Sequence, residues 1–111
     1  EYGALFETFI INEFFKLTEA LEKRWQLSYL RTKDNVEIDL IIERPRGKPI
    51  LIEIKSGNKV NEKKSLAAFN KIAQEFPGSA KYVLCREQEE KVIGDITYLH
   101  WLAGLKKIFE L

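Results

Sequence analysis

Two aliphatic segments on either side of a proline-containing turn constrain the fold of this chain more than any other feature. Residues 36–43 (VEIDLIIE) and 50–55 (ILIEIK) are rich in isoleucine, leucine and valine. Their side chains alternate with a period of two, which is typical of β-strands. The intervening residues 44–49 (RPRGKP) hold two prolines and a glycine, which favour a turn. We therefore predict that the two segments pair as antiparallel strands.

Helical and strand patterns alternate along the rest of the chain. The predicted helices have apolar residues at three- and four-residue steps, and the predicted strands are short and apolar. The predicted helices are 3–23, 62–76 and 100–110, and the further predicted strands are 26–32, 80–85 and 95–99. Because the helix at 62–76 separates two strands, it should cross over to a parallel neighbour. The sequence thus predicts an α/β fold with a mixed sheet flanked by helices.

Length and composition limit the kind of site that the chain can carry. Its 111 residues suit a single domain spanning 1–111. The net charge is only +1, so binding to nucleic acid would depend on local charge. One cysteine and one histidine exclude a disulfide framework and a multi-histidine or cysteine-rich metal site. A metal held by carboxylates would be a hard ion, Mg²⁺ or Mn²⁺. Cys85 is predicted to be a buried apolar residue, and His100 a helix-start residue or part of an interface.

Targeting features and the chain ends give expectations about context. No apolar run approaches 18 residues, so we predict no membrane partner and a cytoplasmic location. Methionine is missing throughout, even at position 1, and the chain opens directly into a helical pattern. We therefore expect a fragment of a longer protein.

Charged side chains interrupt the two central strands at matching positions. Glu53 and Lys55 are two residues apart, so both project on one face of their strand. A turn centred on Arg46 places Asp39 opposite Glu53, with Cβ atoms about 4.5–5.5 Å apart. Two carboxylates this close remain ionised only beside a cation. We predict that Lys55 and a divalent ion supply that charge.

A further carboxylate lies on the first predicted helix. Glu7 is on the apolar stripe of 3–23, one turn after Gly3, which leaves room for another element to approach. Such a helix could direct Glu7 at Asp39 and Glu53. The predicted metal ligands are thus Asp39, Glu53 and Glu7, and Lys55 completes the catalytic set by orienting or deprotonating water or by stabilising charge. We expect such a set to carry out phosphodiester hydrolysis.

The pattern Glu7, Asp39 and Glu53-Ile54-Lys55 resembles the E…D…E-x-K motif of the PD-(D/E)XK nuclease superfamily. More narrowly, the runs GALFETFIINEF, YLRTKDNVEIDLIIE, PILIEIKSG and ITYLHWLAGL are similar to an uncharacterised domain C-terminal to the motor domain of predicted bacterial and archaeal AAA+ ATPases. The resemblance implies a restriction-endonuclease-like αβββαβ core. It also implies DNA as substrate and an ATPase domain as partner in the same full-length chain. Ile38 stands where the superfamily motif has proline.

Simpler interpretations exist for most of these residues. Glu53 and Lys55 alone would suit an exposed ion pair, and Glu7 an acid near a helix N-terminus. Glu37 and Glu43 are predicted to be solvated strand charges. Four lysines could follow a DNA backbone or simply be solvated: Lys33, Lys59, Lys63 and Lys64.

Three functional hypotheses follow. The first is a magnesium- or manganese-dependent nuclease-like domain accessory to an AAA+ ATPase. The second is a non-catalytic module of the same fold that binds nucleic acid or protein. The third is a dimerisation domain that uses the closing helix to form a homodimer. The chain has no Gly-rich phosphate loop followed by lysine, so we expect ATP to bind only in the N-terminal region of a longer protein, if that region is present.

Overall fold

The aliphatic and amphipathic segments form three helices and six strands in the computed structural model, which describes residues 2–31, 37–57 and 62–111. The elements are α1 (Tyr2–Ala20), β1 (Gln26–Arg31), β2 (Glu37–Glu43), β3 (Ile50–Ile54), α2 (Glu62–Ala73), β4 (Ala80–Cys85), β5 (Lys91–Ile93), β6 (Ile96–His100) and α3 (Trp101–Phe109). None of the described helices has the length and apolar character needed to cross a membrane.

The strands form one mixed sheet in the order β1-β2-β3-β4-β6-β5. The pairs β1–β2 and β2–β3 are antiparallel, as expected for strands joined by short turns. The strand after α2 joins the sheet parallel to β3, and β6 is parallel to β4. The α/β class, the mixed sheet with flanking helices and the parallel crossover are all confirmed.

Helices cover both faces of the central strand. Every residue of β3 is buried. On one face, α1 contributes Ile10 and Phe14, and α3 contributes Leu105, Ile108 and Phe109 to the same cluster as Ile52. On the other face, α2 packs Phe69 and Ile72 near Leu51. Each of these side chains contributes about 1.5–3 kcal/mol of burial free energy, so β3 is held firmly between two apolar layers.

An irregularity in the β1–β2 pairing changes which face the β2 side chains occupy. Ser28 pairs with Ile41, but Leu30 pairs with Ile38. One residue of β1, Tyr29, therefore faces both Asp39 and Leu40, which is the arrangement of a β-bulge. The strict alternation predicted over 36–43 is consequently wrong.

The core clusters show the effect of the bulge. Ile38 and Ile41, three residues apart, both pack on the α2 side of the sheet. Leu40 and Ile42 pack on the α1 side. A bulge adds one residue to the strand and so resets its alternation.

Several predicted boundaries differ from the structure. α1 ends at Ala20, since Lys23 N–H donates to the Thr18 carbonyl at 2.9 Å across Glu22, which has a left-handed φ of 54°. α2 ends at Ala73, before the predicted 76, because Phe76 N–H bonds only three residues back. β5 was not predicted. His100 does start α3: its Nδ1 accepts a 3.2 Å hydrogen bond from Leu102 N–H. Cys85 is buried at the end of β4, as predicted.

Candidate functional site

Asp39 lies where the pairing of the two central strands ends. The ladder between β2 and β3 runs in the predicted register, with Leu40 facing Ile52. One step further on, the N–H of Ile54 donates a 2.7 Å hydrogen bond to Asp39 Oδ2. A side-chain carboxylate thus accepts from a strand N–H next to Glu53 and Lys55. The structure therefore brings Asp39 to the E-x-K segment.

Glu53 and Lys55 form an ion pair beside this carboxylate. Lys55 Nζ lies 2.8 Å from Glu53 Oε1. Glu53 is only 4% exposed, so it is not the solvated strand residue of the simpler interpretation. Leu51 packs on the α2 side, and the alternation of β3 places Glu53 on that side too. Burial of an ionised carboxylate is tolerated where an ammonium group offsets its charge.

Glu7 approaches from the opposite face of the sheet. It lies on α1, which covers the face of the sheet opposite to α2, and it is half-buried. Its negative charge acts on both Asp39 and Lys55. Within residues 2–31, 37–57 and 62–111, no three acidic, histidine or cysteine side chains are grouped so that they could hold one metal ion. The charges of Glu7 and Glu53 each act on Asp39 from opposite faces of the sheet, and direct metal ligation by all three stays a prediction.

The protonation of Asp39 is strongly perturbed. The pKa of this carboxyl is raised from 3.8 to about 7, and burial is the largest cause. The hydrogen bond from Ile54 favours the ionised form and lowers the pKa. The charges of Glu7, Glu53 and Glu37 act in the same direction as burial and complete the rise. A carboxyl with a pKa near neutrality at the end of a central strand pair marks a candidate functional site.

The surroundings of Lys55 raise its pKa, which makes it a poorer base. Burial lowers its pKa, but the hydrogen bond and charge of Glu53 outweigh that effect, helped by Asp39 and Glu7. The net result is a pKa above 10.5. Lys55 is therefore an ammonium group at neutral pH, suited to stabilise negative charge and to donate hydrogen bonds.

A cleft opens from Asp39 between α1 and the β1 edge of the sheet. Its volume is about 250 Å³. Apolar side chains and three carboxylates form its walls. The lining residues are Glu7, Ile11, Phe15, Leu27, Ser28, Tyr29, Glu37, Ile38, Asp39 and Leu40. The cleft thus has an acidic end, at the candidate site, and an apolar body.

The predicted DNA-contacting lysines are only partly covered by the structure. Lys63 is exposed on α2. Lys33 and Lys59 lie outside the described residues, and the side chain of Lys64 does as well. Nucleic-acid binding by these four residues stays a prediction.

The profile of a domain of unknown function, DUF4143, matches residues 2–103. The chain belongs to the DUF4143 family. This match spans α1 to the first residues of α3, so it includes all four residues of the candidate site. No curated protein matches the chain. No solved structure matches it either.

Three residues near the site of this DUF4143 domain were not predicted as functional. Glu37, predicted to be solvated, is exposed but raises the pKa of Asp39 and lines the cleft. Phe15 and Tyr29 line the same cleft. Phe15 could have been found from spacing, because Glu7, Ile11 and Phe15 follow each other at four-residue steps along one helix face.

Proposed function

We propose that this DUF4143 domain is a metal-dependent nuclease-like domain that hydrolyses phosphodiester bonds in DNA. The observation that carries the proposal is the 2.7 Å hydrogen bond between Ile54 N–H and Asp39 Oδ2. This bond holds an acid at the backbone between Glu53 and Lys55. The E-x-K resemblance supports the same reading of these residues.

The carboxylates suit Mg²⁺ or Mn²⁺. Magnesium usually binds one or two protein carboxylates and completes its shell with water and substrate phosphate. The described residues have no group of three possible protein ligands, which is compatible with a magnesium ion bound by only one or two carboxylates. Asp39 and Glu53 would hold the ion, and Glu7 would contact a water of its shell. The raised pKa of Asp39 supports this, because a cation restores the ionised form of a crowded carboxylate.

Each protein group then has a distinct role. A bound divalent ion supplies Lewis acidity and lowers the pKa of a water. Lys55, an ammonium group, donates to a phosphate oxygen and stabilises the charge that develops there. Glu53 fixes the position of that ammonium through the 2.8 Å contact. A lysine with a raised pKa is a poor proton acceptor, so water deprotonation by Lys55 is the less favoured of its predicted roles.

The wider context belongs to the same proposal. The similarity to an uncharacterised domain C-terminal to AAA+ motor domains supports an accessory role to an ATPase in the full-length protein. DNA would be contacted through Lys33, Lys59, Lys63 and Lys64, with binding that weakens as salt increases.

Cleavage assays on the purified chain test the catalytic part. Duplex, branched and single-stranded DNA would be incubated with Mg²⁺ or Mn²⁺. We expect cleavage by the wild type and none by Asp39→Ala or Lys55→Ala. Asp39→Asn keeps an oxygen that can accept from Ile54 N–H, so it separates lost chemistry from lost folding. Asp95 pairs with Lys81 and not with a residue of the candidate site. Asp95→Asn is therefore the matched control and should cleave normally. A folded wild type that cleaves none of these substrates would contradict the proposal.

A second candidate, a non-catalytic binding module, is favoured by one observation. The ion pair between Glu53 and Lys55 neutralises two groups that catalysis would use. Salt-dependent DNA binding without hydrolysis, and without any effect of Mn²⁺, would support this module instead.

A further inference from the structure

The cleft beside Asp39 has two exposed aromatic rings in its walls. Phe15, from α1, is 50% exposed, and Tyr29, from the edge strand β1, is 72% exposed. Both line the cleft together with apolar residues such as Ile11 and Leu27. Single exposed apolar residues are ordinary on protein surfaces. Here two exposed rings share one concave cleft that ends at the candidate catalytic carboxylates. This arrangement indicates a ligand-binding site.

The Tyr29 ring reaches the cleft through the regular alternation of β1. Leu27, two residues before it, packs on the α1 side, and alternation along β1 places Tyr29 on that side too. Tyr29 faces the doubled position formed by Asp39 and Leu40. The ring and the carboxylate are thus neighbours across the same strand pair, so an occupant of the cleft would touch both regions.

The lining defines the chemistry of that occupant. Aromatic and aliphatic walls suit a flat group with an apolar face. Carboxylates at the acidic end, among them Glu7 and Glu37, accept hydrogen bonds from amino and imino groups. The same carboxylates repel a bare phosphate, so a phosphate would have to lie at the metal position. A nucleobase joined to a phosphodiester meets each of these conditions.

The size of the cleft suits one nucleobase and not a base pair. A volume of about 250 Å³ lies just below the range of roughly 300–1,000 Å³ for sites that enclose a drug-sized ligand. In a duplex, the faces and pairing edges of a base are already occupied. We infer that the cleft between α1 and β1 takes one unpaired nucleobase, so that the domain selects single-stranded or frayed DNA. This inference rests on the proposed function, because it assigns the substrate class of that site.

Binding measurements on the full chain test this assignment. The probes are a fluorescently labelled phosphorothioate single strand, chosen to resist hydrolysis, and the blunt duplex of the same sequence, each with Mn²⁺. We expect wild type to prefer the single strand. Tyr29→Ala or Phe15→Ala should weaken single-strand binding by about 5- to 150-fold, the loss typical of one stacked base. Tyr29→Phe retains the ring and should bind like wild type.

Phe9 provides a matched control. It is a phenylalanine on the same helix with the same 50% exposure as Phe15, but it packs edge-on against Trp101, away from the cleft, with ring centroids 5.5 Å apart. Phe9→Ala should therefore leave the preference for the single strand intact. An equal loss in Phe9→Ala and Phe15→Ala would overturn the inference.

The remaining outcomes separate this inference from the function beneath it. Titration of Mn²⁺ into each variant without DNA reports the carboxylate site alone. Suppose that Mn²⁺ binds but Tyr29→Ala and Phe15→Ala keep wild-type affinity for the single strand, or that wild type prefers the duplex. Either result would show that the cleft does not bind a base, and the proposed nuclease site would stand. If wild type binds neither Mn²⁺ nor either DNA, the proposed function fails and this inference fails with it.

Discussion

Asp39 Oδ2 accepts a 2.7 Å hydrogen bond from the backbone N–H of Ile54, and so a side-chain carboxylate caps the end of the β2–β3 ladder. The position is mostly buried and is surrounded by the charges of Glu7, Glu53 and Glu37. An ionised group in these surroundings destabilises the folded state, which natural proteins accept mainly at functional sites.

The Asp39 carboxyl should make stability fall as pH rises. Its pKa is about 7 in the folded protein and near 3.8 when unfolded. Between these values the folded state holds the extra proton, so the free energy of unfolding decreases from about pH 4 to pH 7 and then levels off. Asp39→Asn removes the charge and should stabilise the domain by about 1–3 kcal/mol at pH 8. Urea denaturation at pH 5 and pH 8 measures the gain, which should be larger at pH 8.

Asp95→Asn is the control for that experiment. The hydrogen bond with Lys81 lowers the pKa of Asp95, so its contribution has the opposite sign: it is present above the unfolded pKa and lost as pH falls. This variant should therefore gain nothing at pH 8. Stabilisation of Asp39→Asn that is equal at both pH values would show that Asp39 titrates normally.

The Glu53–Lys55 pair should couple more strongly than a surface pair. Glu53 is buried, and the Lys55 side chain is 37% exposed, so the coupling free energy should be about 1–3 kcal/mol, below that of a fully buried pair. A double-mutant cycle with Glu53→Gln and Lys55→Met measures it. The more exposed pair of Lys16 and Glu13 lies 3.5 Å apart on α1, with side chains 76% and 32% exposed, and should give less than about 0.5 kcal/mol. Equal couplings would mean that Glu53 is solvated in solution.

His100 should stabilise α3 through its side chain. Its Nδ1 accepts from Leu102 N–H at the start of the helix. His100→Ala loses that acceptor and should cost about 1 kcal/mol in the free energy of unfolding, whereas His100→Asn, which has an oxygen suited to the same bond, should cost much less. Thermal or urea unfolding distinguishes the two variants. The His100 ring also packs against Trp101, with ring centroids 5.6 Å apart, and equal losses would indicate that this packing matters more than capping.

The register of the central hairpin could be predicted because two independent signals agree. The turn residues Pro45, Gly47 and Pro49 fix where the chain reverses. The aliphatic residues on either side then align in only one register that buries both strands. The structure confirms this register in the pairing of Leu40 with Ile52, and with it the approach of Asp39 to the E-x-K segment.

The faces of the site residues could not be predicted from alternation. An extra residue in β2 opposite Tyr29 becomes visible only when the partner strand is known. Without it, Asp39 and Glu53 were expected on one face, and Glu7 above them. In the structure Glu53 lies on the α2 side, Glu7 comes from the α1 side, and Asp39 lies at the strand end between them.

The missed strand β5 had a sequence signal that alternation alone did not reveal. Ile93 faces Ile96 across a turn made by Gly94 and Asp95. Gly94 has a φ of +62°, which glycine adopts readily. A Gly-Asp pair between two isoleucines is a two-residue hairpin signal, but a strand of three residues carries too little periodicity to be recognised.

Calorimetric titration of Mn²⁺ into the purified chain shows whether the carboxylates around Asp39 hold a divalent ion, and it needs neither a substrate nor turnover. We expect saturable binding to wild type with proton release at pH 7, since metal displaces the proton that Asp39 partly retains. We expect no binding to Asp39→Ala or Asp39→Asn and unchanged binding to Asp95→Asn. A wild type that binds no Mn²⁺, or Asp39 variants that bind it as wild type does, would show that Asp39 is not part of a metal site.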